Sequence, residues 1–162
     1  FKLNVLVHGS HIEVLNGALR KLGMDEINLI QVTDLDAAAM IELHRKIEAG
    51  EWIAVAADRE PLRGGETVKV DFLGIADLPQ GAWLLASLLK VKVNTVFCLR
   101  HNGRHYLKLR RFIEHADWKR GERQAAVADA AQRFARLMED ECARNPLQWF
   151  NFFDFWKDDR HG

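Results

Sequence analysis

Several features are scarce or missing in this sequence, and each scarcity argues against a particular class of protein or site. The 162 residues include only two cysteines, Cys98 and Cys142, which excludes a disulfide framework and a four-cysteine zinc site. Positive charge is not in excess, because 23 Lys and Arg residues balance 23 Asp and Glu residues. This balance argues against a protein built mainly to bind nucleic acid. No apolar run reaches the roughly 18–20 residues that cross a bilayer, and no signal peptide is visible.

The remaining composition suits a folded domain in a reducing compartment. Hydrophobic residues make up 48% and charged residues 28% of the chain, which is enough for a packed core. We take residues 1–162 as a single domain, because this length is typical of one. The chain opens with Phe1, inside an apolar run and without Met. We therefore expect it to be the C-terminal part of a longer protein that has lost N-terminal elements.

Apolar and amphipathic segments alternate along the first third of the chain. Three apolar stretches have the length of buried strands, at residues 3–7, 27–32 and 52–57. Helical spacing lies between them, with Ser10 as the first N-cap and Thr33 or Asp34 as the second. This order predicts an α/β fold with a mixed, mostly parallel central sheet flanked by helices.

The rest of the chain combines hairpin and helix signals. Strands are predicted at residues 67–72, 93–99 and 106–112, and helices at 81–89 and about 120–142. Asn102-Gly103 predicts a tight turn between the last two strands. Cys98 is expected to be an inert, buried packing residue. Six large aromatic residues between 149 and 156 are expected to close the core or to enter a membrane interface.

Asp58 and Arg59 directly follow the third predicted strand. Ligands of open α/β sheets bind beyond the carboxyl ends of the strands, so this pair could orient a substrate or hold an anion. Gly64 and Gly65 form the loop after the pair. A surface ion pair that ends a strand is an equally good interpretation.

His8 and His11 also follow a strand, and three functions remain open for them. With Asp58 they could hold a metal ion, as in a metal-dependent hydrolase. His8 and Glu13 have the spacing of a general base and its orienting carboxylate. Capping of the following helix is the third possibility.

The stretch from Arg100 to Arg123 is locally basic. Such a patch could meet an acidic carrier protein or anionic lipid headgroups. It could also be only a solvated hairpin face.

Three blocks of the sequence resemble a known family. They are residues 50–59 (GEWIAVAADR), residues 70–82 with VDFLG and PQGA, and residues 145–152 (NPLQWFNF). Together they resemble the lipid A biosynthesis (lauroyl/myristoyl) acyltransferase branch of the lysophospholipid acyltransferase superfamily. The closing block is the most specific of the three, and the order of the blocks is kept over most of the chain.

The resemblance implies transfer of a fatty acyl group from acyl carrier protein or CoA to a lipid-like acceptor, without a cofactor or metal. The base in this family is the His of an H-x4-[DE] motif, which the resemblance places upstream of this chain rather than at His8. It implies catalytic roles for Asp58 and Arg59. The residues expected to bind substrate are His8, His11, Gly64, Gly65 and Arg100.

The same resemblance predicts where the protein works and what it meets. We expect a bacterial protein associated with the cytoplasmic face of the inner membrane, where the membrane surface is a partner. Self-association is possible, because lost strands would leave an exposed sheet edge. The alternative is a non-catalytic lipid- or carrier-binding module on the same scaffold.

Overall fold

Two compact units make up the part of the chain that this computed structural model describes. The described residues are 2–7, 12–31, 36–59, 65–152 and 155–156. The first unit comprises those up to Ala56, and the second comprises those from Ala57 onward. None of the helices in these ranges is both long enough and apolar enough to span a bilayer. The single-domain interpretation stays a prediction, and each unit is described by itself.

The first unit is a three-stranded parallel sheet. Strand β1 (Leu3–Val7) lies between β2 (Ile27–Gln31) and β3 (Trp52–Val55). Helix α1 (Ile12–Lys21) lies between β1 and β2 in the chain, and α2 (Ala37–Glu48) lies between β2 and β3. Parallel neighbours need such crossovers, which is why strands and helices alternate here. The predicted α/β fold is confirmed.

Helix α2 begins later than the sequence suggested. Its N-cap is Asp36, whose carboxylate accepts a hydrogen bond from the backbone N–H of Ala39 at 2.8 Å. Thr33 or Asp34 as the cap is therefore wrong. A side-chain oxygen caps a helix when it reaches the third helical N–H, and Asp36 is the residue at that distance from Ala39.

A buried polar side chain ties the three strands of the first unit together. Asn4, in β1, is only 1% exposed. Its Nδ2 donates to Glu51 Oε2 at 2.8 Å and to Trp52 O at 3.2 Å, and its Oδ1 accepts from Asn28 Nδ2 at 3.2 Å. The Asn4 hydrogen bond, with the charge of Lys46 at 3.5 Å, holds the pKa of Glu51 below its usual value. These bonds are satisfied in one strand register only, so they specify that register.

The second unit contains two antiparallel strand pairs, two helices and a short 3-10 turn. The first pair is β4 (Thr67–Asp71) with β5 (Ile75–Pro79), and the second is β6 (Val93–His101) with β7 (Arg104–Ile113). The helices are α3 (Gly81–Leu89) and α4 (Arg123–Arg144), and the turn is Pro146–Gln148.

Strand β5 is an element that the sequence did not predict. The strand has five residues, begins directly after Gly74 and ends at Pro79, and both glycine and proline normally interrupt secondary structure. Pairing with β4 decides the outcome, because Val68 lies opposite Leu78 and Val70 opposite Ala76. The strand therefore depends on tertiary pairing rather than on local propensity.

The core of the second unit forms between these sheets and α4. Phe72 is 0% exposed and is among the largest fully buried side chains of the described residues. Small residues of α4, Ala130, Ala131 and Ala135, are also buried in this core. Their spacing places them on one helical face, and their size lets the helix approach the sheet closely. The predicted long amphipathic helix is confirmed.

The hairpin turn also follows the sequence prediction. Asn102 has φ 49° and Gly103 has φ 77°, so both central residues lie at positive φ. Glycine adopts this conformation without steric cost, and asparagine tolerates it, which suits a tight turn between twisted strands.

The predicted buried packing role of Cys98 is wrong. Alternate residues of β6 face opposite sides, and Leu99 is buried whereas Cys98 is exposed. The second cysteine, Cys142, is half-buried in α4. Burial, reinforced by the carboxylates of Glu139 and Glu141, raises the pKa of its thiol.

Candidate functional site

Asp58 and Arg59 form an ion pair in the second unit. Arg59 Nε lies 3.4 Å from Asp58 Oδ2, and the two side chains are 51% and 32% exposed, respectively. Arg59 Nη2 also donates a hydrogen bond of 3.0 Å to the carbonyl oxygen of Phe150. Within the described residues, Arg59 Nη1 and Asp58 Oδ1 make no hydrogen bond. A donor and an acceptor thus remain available to a bound molecule.

The closing sequence block holds the carbonyl that Arg59 contacts. In this block Gln148 bonds the backbone of Arg100 twice: Arg100 N donates to Oε1 at 2.6 Å, and Nε2 donates to Arg100 O at 2.8 Å. The Gln148 amide therefore pairs with the backbone of Arg100 in β6 through one acceptor and one donor, as a residue of a neighbouring strand would. Phe150 lies two residues later, so the same short segment contacts both Arg59 and Arg100.

An aromatic cluster fixes the position of this segment. The Phe72 ring lies 5.0 Å from Trp149, 5.6 Å from Phe155 and 6.2 Å from Trp156 between centroids. The Trp156 indole also donates a 2.7 Å hydrogen bond to the Phe72 carbonyl. Such aromatic contacts contribute about 0.5–1.5 kcal/mol each beyond the buried area.

The prediction that aromatic residues of the tail close the core is confirmed for two of them. Trp149 and Phe155 pack into the core, whereas Phe150 and Phe152 are 64% and 91% exposed. Phe153 lies outside the described residues. Entry of the exposed rings into a membrane interface stays a prediction.

The other predicted site residues fall into two groups. His8, His11 and Gly64 lie outside the described residues, so their predicted roles stay predictions. Gly65 is described and exposed. Arg100 is exposed as well, and its backbone is engaged by the closing block, which the sequence did not predict.

The described ranges contain no group of three His, Cys, Asp or Glu residues close enough to bind a metal ion. The predicted site of His8, His11 and Asp58 includes residues outside those ranges. The metal-dependent hydrolase therefore gains no support from the described part of the chain.

Comparison with known families agrees with the resemblance carried by these blocks. The family model of the bacterial lipid A biosynthesis acyltransferases matches residues 27–158, which is well over half of the chain. The chain belongs to this acyltransferase family. A search of curated proteins finds no match to it.

Family membership gives the candidate site a general chemistry. Lipid A biosynthesis acyltransferases are enzymes, and acyl transfer requires an acyl donor and a lipid acceptor. The matched segment includes Asp58, Arg59, Arg100 and the closing block. The geometry described above therefore lies within the part of the chain that defines the family.

Proposed function

We propose that the protein transfers a fatty acyl group from a thioester of acyl carrier protein or CoA to a hydroxyl or amine of a lipid-like acceptor. The observation that carries this proposal is the coincidence of the family match with the Asp58–Arg59 pair, which is anchored to the family's closing block.

The proposed reaction is a two-step acyl transfer. A histidine takes the proton from the acceptor hydroxyl, and the resulting oxygen attacks the thioester carbonyl. The tetrahedral oxyanion then collapses, the carbon–sulfur bond breaks, and the leaving thiolate takes the proton from the imidazolium. The proposal places this histidine in an H-x4-[DE] motif upstream of Phe1, with His8 and Glu13 as the other candidates.

In this reaction Arg59 stabilises the negative charge of the tetrahedral oxyanion through guanidinium N–H groups that no described residue accepts. Nη1 has no partner among the described residues, while Nε and Nη2 are held by Asp58 and by the Phe150 carbonyl. A guanidinium held at two points loses little freedom when it binds an anion, which favours stabilisation of a developing charge. Asp58 orients Arg59.

We further propose that the protein works at the cytoplasmic face of the inner membrane. The outer face of the β6–β7 hairpin supports this, because cross-strand pairs place Val96 opposite Leu109 and Cys98 opposite Leu107. Leu107 is 70% exposed, and Val96 and Leu109 are more than half exposed. The next pair, Arg100 with His105, adds basic groups at the rim. Apolar surface beside positive charge matches an anionic lipid surface.

Substitution of Asp58 in the full-length enzyme tests the catalytic role. Asp58→Asn releases one anchor of Arg59, and we expect kcat to fall at least about tenfold, because misplaced catalytic groups are costly. The KM for the acceptor should change less. Asp117→Asn is the matched control, since it breaks a comparable exposed pair with Lys90 at 3.0 Å.

Two results would contradict the proposal. Equal turnover of the Asp58→Asn and Asp117→Asn enzymes would remove Asp58 from the mechanism. Binding of acyl donor without any acyl transfer by the full-length wild-type protein would favour the non-catalytic binding module instead.

A further inference from the structure

Four arginine side chains line one cleft between the β6–β7 hairpin and α4. The cleft has a volume of about 380 Å³. It is lined by Thr95, Arg110, Arg111, Phe112, Arg133, Arg136 and Leu137. This size falls within the ordinary range of small-ligand sites. None of these residues takes part in the Asp58–Arg59 site.

The local structure explains why these arginines converge. In α4, Arg133, Arg136 and Leu137 follow the i, i+3, i+4 spacing of one helical face. In β7, adjacent residues of a regular strand would point to opposite sides. The β6–β7 register shifts next to Val93, so that Ile113 and Arg111 oppose adjacent residues of β6 and Phe112 is the extra residue. A bulge of this kind changes the direction of the side chains beside it, so that the adjacent residues Arg110 and Arg111 both line the cleft.

The arginines of the cleft are only partly neutralised by the protein. Arg133 lies 3.4 Å from Asp129, and Arg111 lies 3.2 Å from Glu114. The side chains of Arg110 and Arg136 make no ion pair or hydrogen bond with any described residue. Two acids thus face four guanidinium groups, in a chain whose formal net charge is zero.

Apolar side chains lie beside the arginines of the cleft. The Arg133 guanidinium lies 4.8 Å from the centre of the Phe112 ring, and its Nη2 donates to the Phe112 carbonyl at 3.1 Å. Leu137 provides a second apolar surface. All four arginine residues are exposed, so the cleft is open to solvent and salt screens their attraction for an anion.

We infer that this cleft binds a phosphoryl group. Planar guanidinium groups bind phosphate oxygens in pairs, and donors from two directions suit a tetrahedral anion better than a planar carboxylate. The phosphate can belong to a lipid headgroup or to a soluble phosphorylated molecule. The inference does not depend on acyl transfer, because it uses neither Asp58 nor Arg59.

Binding of inorganic pyrophosphate, measured by isothermal titration calorimetry, tests the inference. The test variant is Arg110→Gln with Arg136→Gln, because these two side chains have no partner to lose among the described residues. The matched control is Arg20→Gln with Arg45→Gln, which removes the same charge from exposed helix positions of the first unit. We expect one saturable site whose affinity falls at least about tenfold in the cleft variant only.

Vesicle binding identifies the source of the phosphate. Phosphatidylcholine vesicles carry either phosphatidic acid or, at equal surface charge, oleic acid. Selective binding to phosphatidic acid that is lost in the cleft variant supports a lipid headgroup, even without pyrophosphate binding. Pyrophosphate binding without vesicle binding supports a soluble ligand.

The inference is overturned by any of three results, provided that the unfolding curves of both variants match the wild type. They are no binding in either assay, equal weakening by the cleft and control variants, and equal binding to the two kinds of vesicle when pyrophosphate does not bind.

Discussion

The Gln148 side chain offers a direct test of how the closing block is held. Gln148→Glu keeps the size of the side chain and the oxygen that accepts from Arg100 N. It replaces Nε2, which donates to Arg100 O at 2.8 Å, with a second acceptor. The hydrogen bond to Arg100 O, worth about 1 kcal/mol, is lost together with a longer one of 3.4 Å from Nε2 to Asn145 Oδ1. Two oxygens then face each other, and solvent exposure limits this added repulsion, so we expect a total loss of about 1–2 kcal/mol.

The pH dependence makes this prediction specific. Below its pKa the new carboxyl group carries a proton that can donate to Arg100 O, so the destabilisation should shrink as the pH falls. Urea unfolding of wild type and variant at neutral and acid pH measures this difference. The control is Gln124→Glu, an exposed glutamine with no side-chain hydrogen bond among the described residues, which should change stability by less than about 0.5 kcal/mol. A loss that is equal in the two variants, or that does not depend on pH, would refute the reasoning.

Three further predictions concern other parts of the chain. Gly74→Ala should cost about 2 kcal/mol in urea unfolding, because Gly74 has φ +137° and a Cβ there would lie 3.2 Å from the Trp156 ring. Because the folded-state pKa of Glu51 is lowered, its contribution is present at neutral pH and is lost as the pH falls through the usual and then the lowered pKa. The wild type should therefore lose more stability on acidification than Glu51→Gln, and equal losses would contradict this. Iodoacetamide should label the exposed Cys98 before Cys142, whose thiol pKa is raised, as peptide mapping can show.

The parts of the fold that followed from the sequence are those that local physics determines. Alternation of strands and helices, the Asn102-Gly103 turn and the amphipathic α4 each depend on neighbours within a few residues. The errors depend on distant partners. Cys98 lies in a strand whose buried face is chosen by packing, and β5 exists because it pairs with β4 across a short turn.

The candidate site shows the same division. The sequence located Asp58 and Arg59 after a strand and pointed to the closing block. It could not show that Arg59 contacts the Phe150 carbonyl, because the two residues are 91 positions apart. The arginine cleft was missed for a related reason. Arg133 and Arg136 lie in a helix beyond the basic stretch from Arg100 to Arg123, and only tertiary structure brings them to β7.

The physical role of the closing block changes what family membership can establish about activity. Gln148 bonds β6, Trp149 packs on Phe72, and the Phe150 carbonyl holds Arg59. Two of these three residues act on the scaffold, and the third acts on a candidate catalytic side chain only through its backbone. A protein could therefore keep this block to fold, whether or not it transfers an acyl group. Turnover of the wild-type protein separates these two cases. If the wild type transfers an acyl group, a fall in kcat in the Asp58→Asn enzyme reports on catalysis rather than on folding, because that substitution leaves all three contacts with donors and acceptors in place.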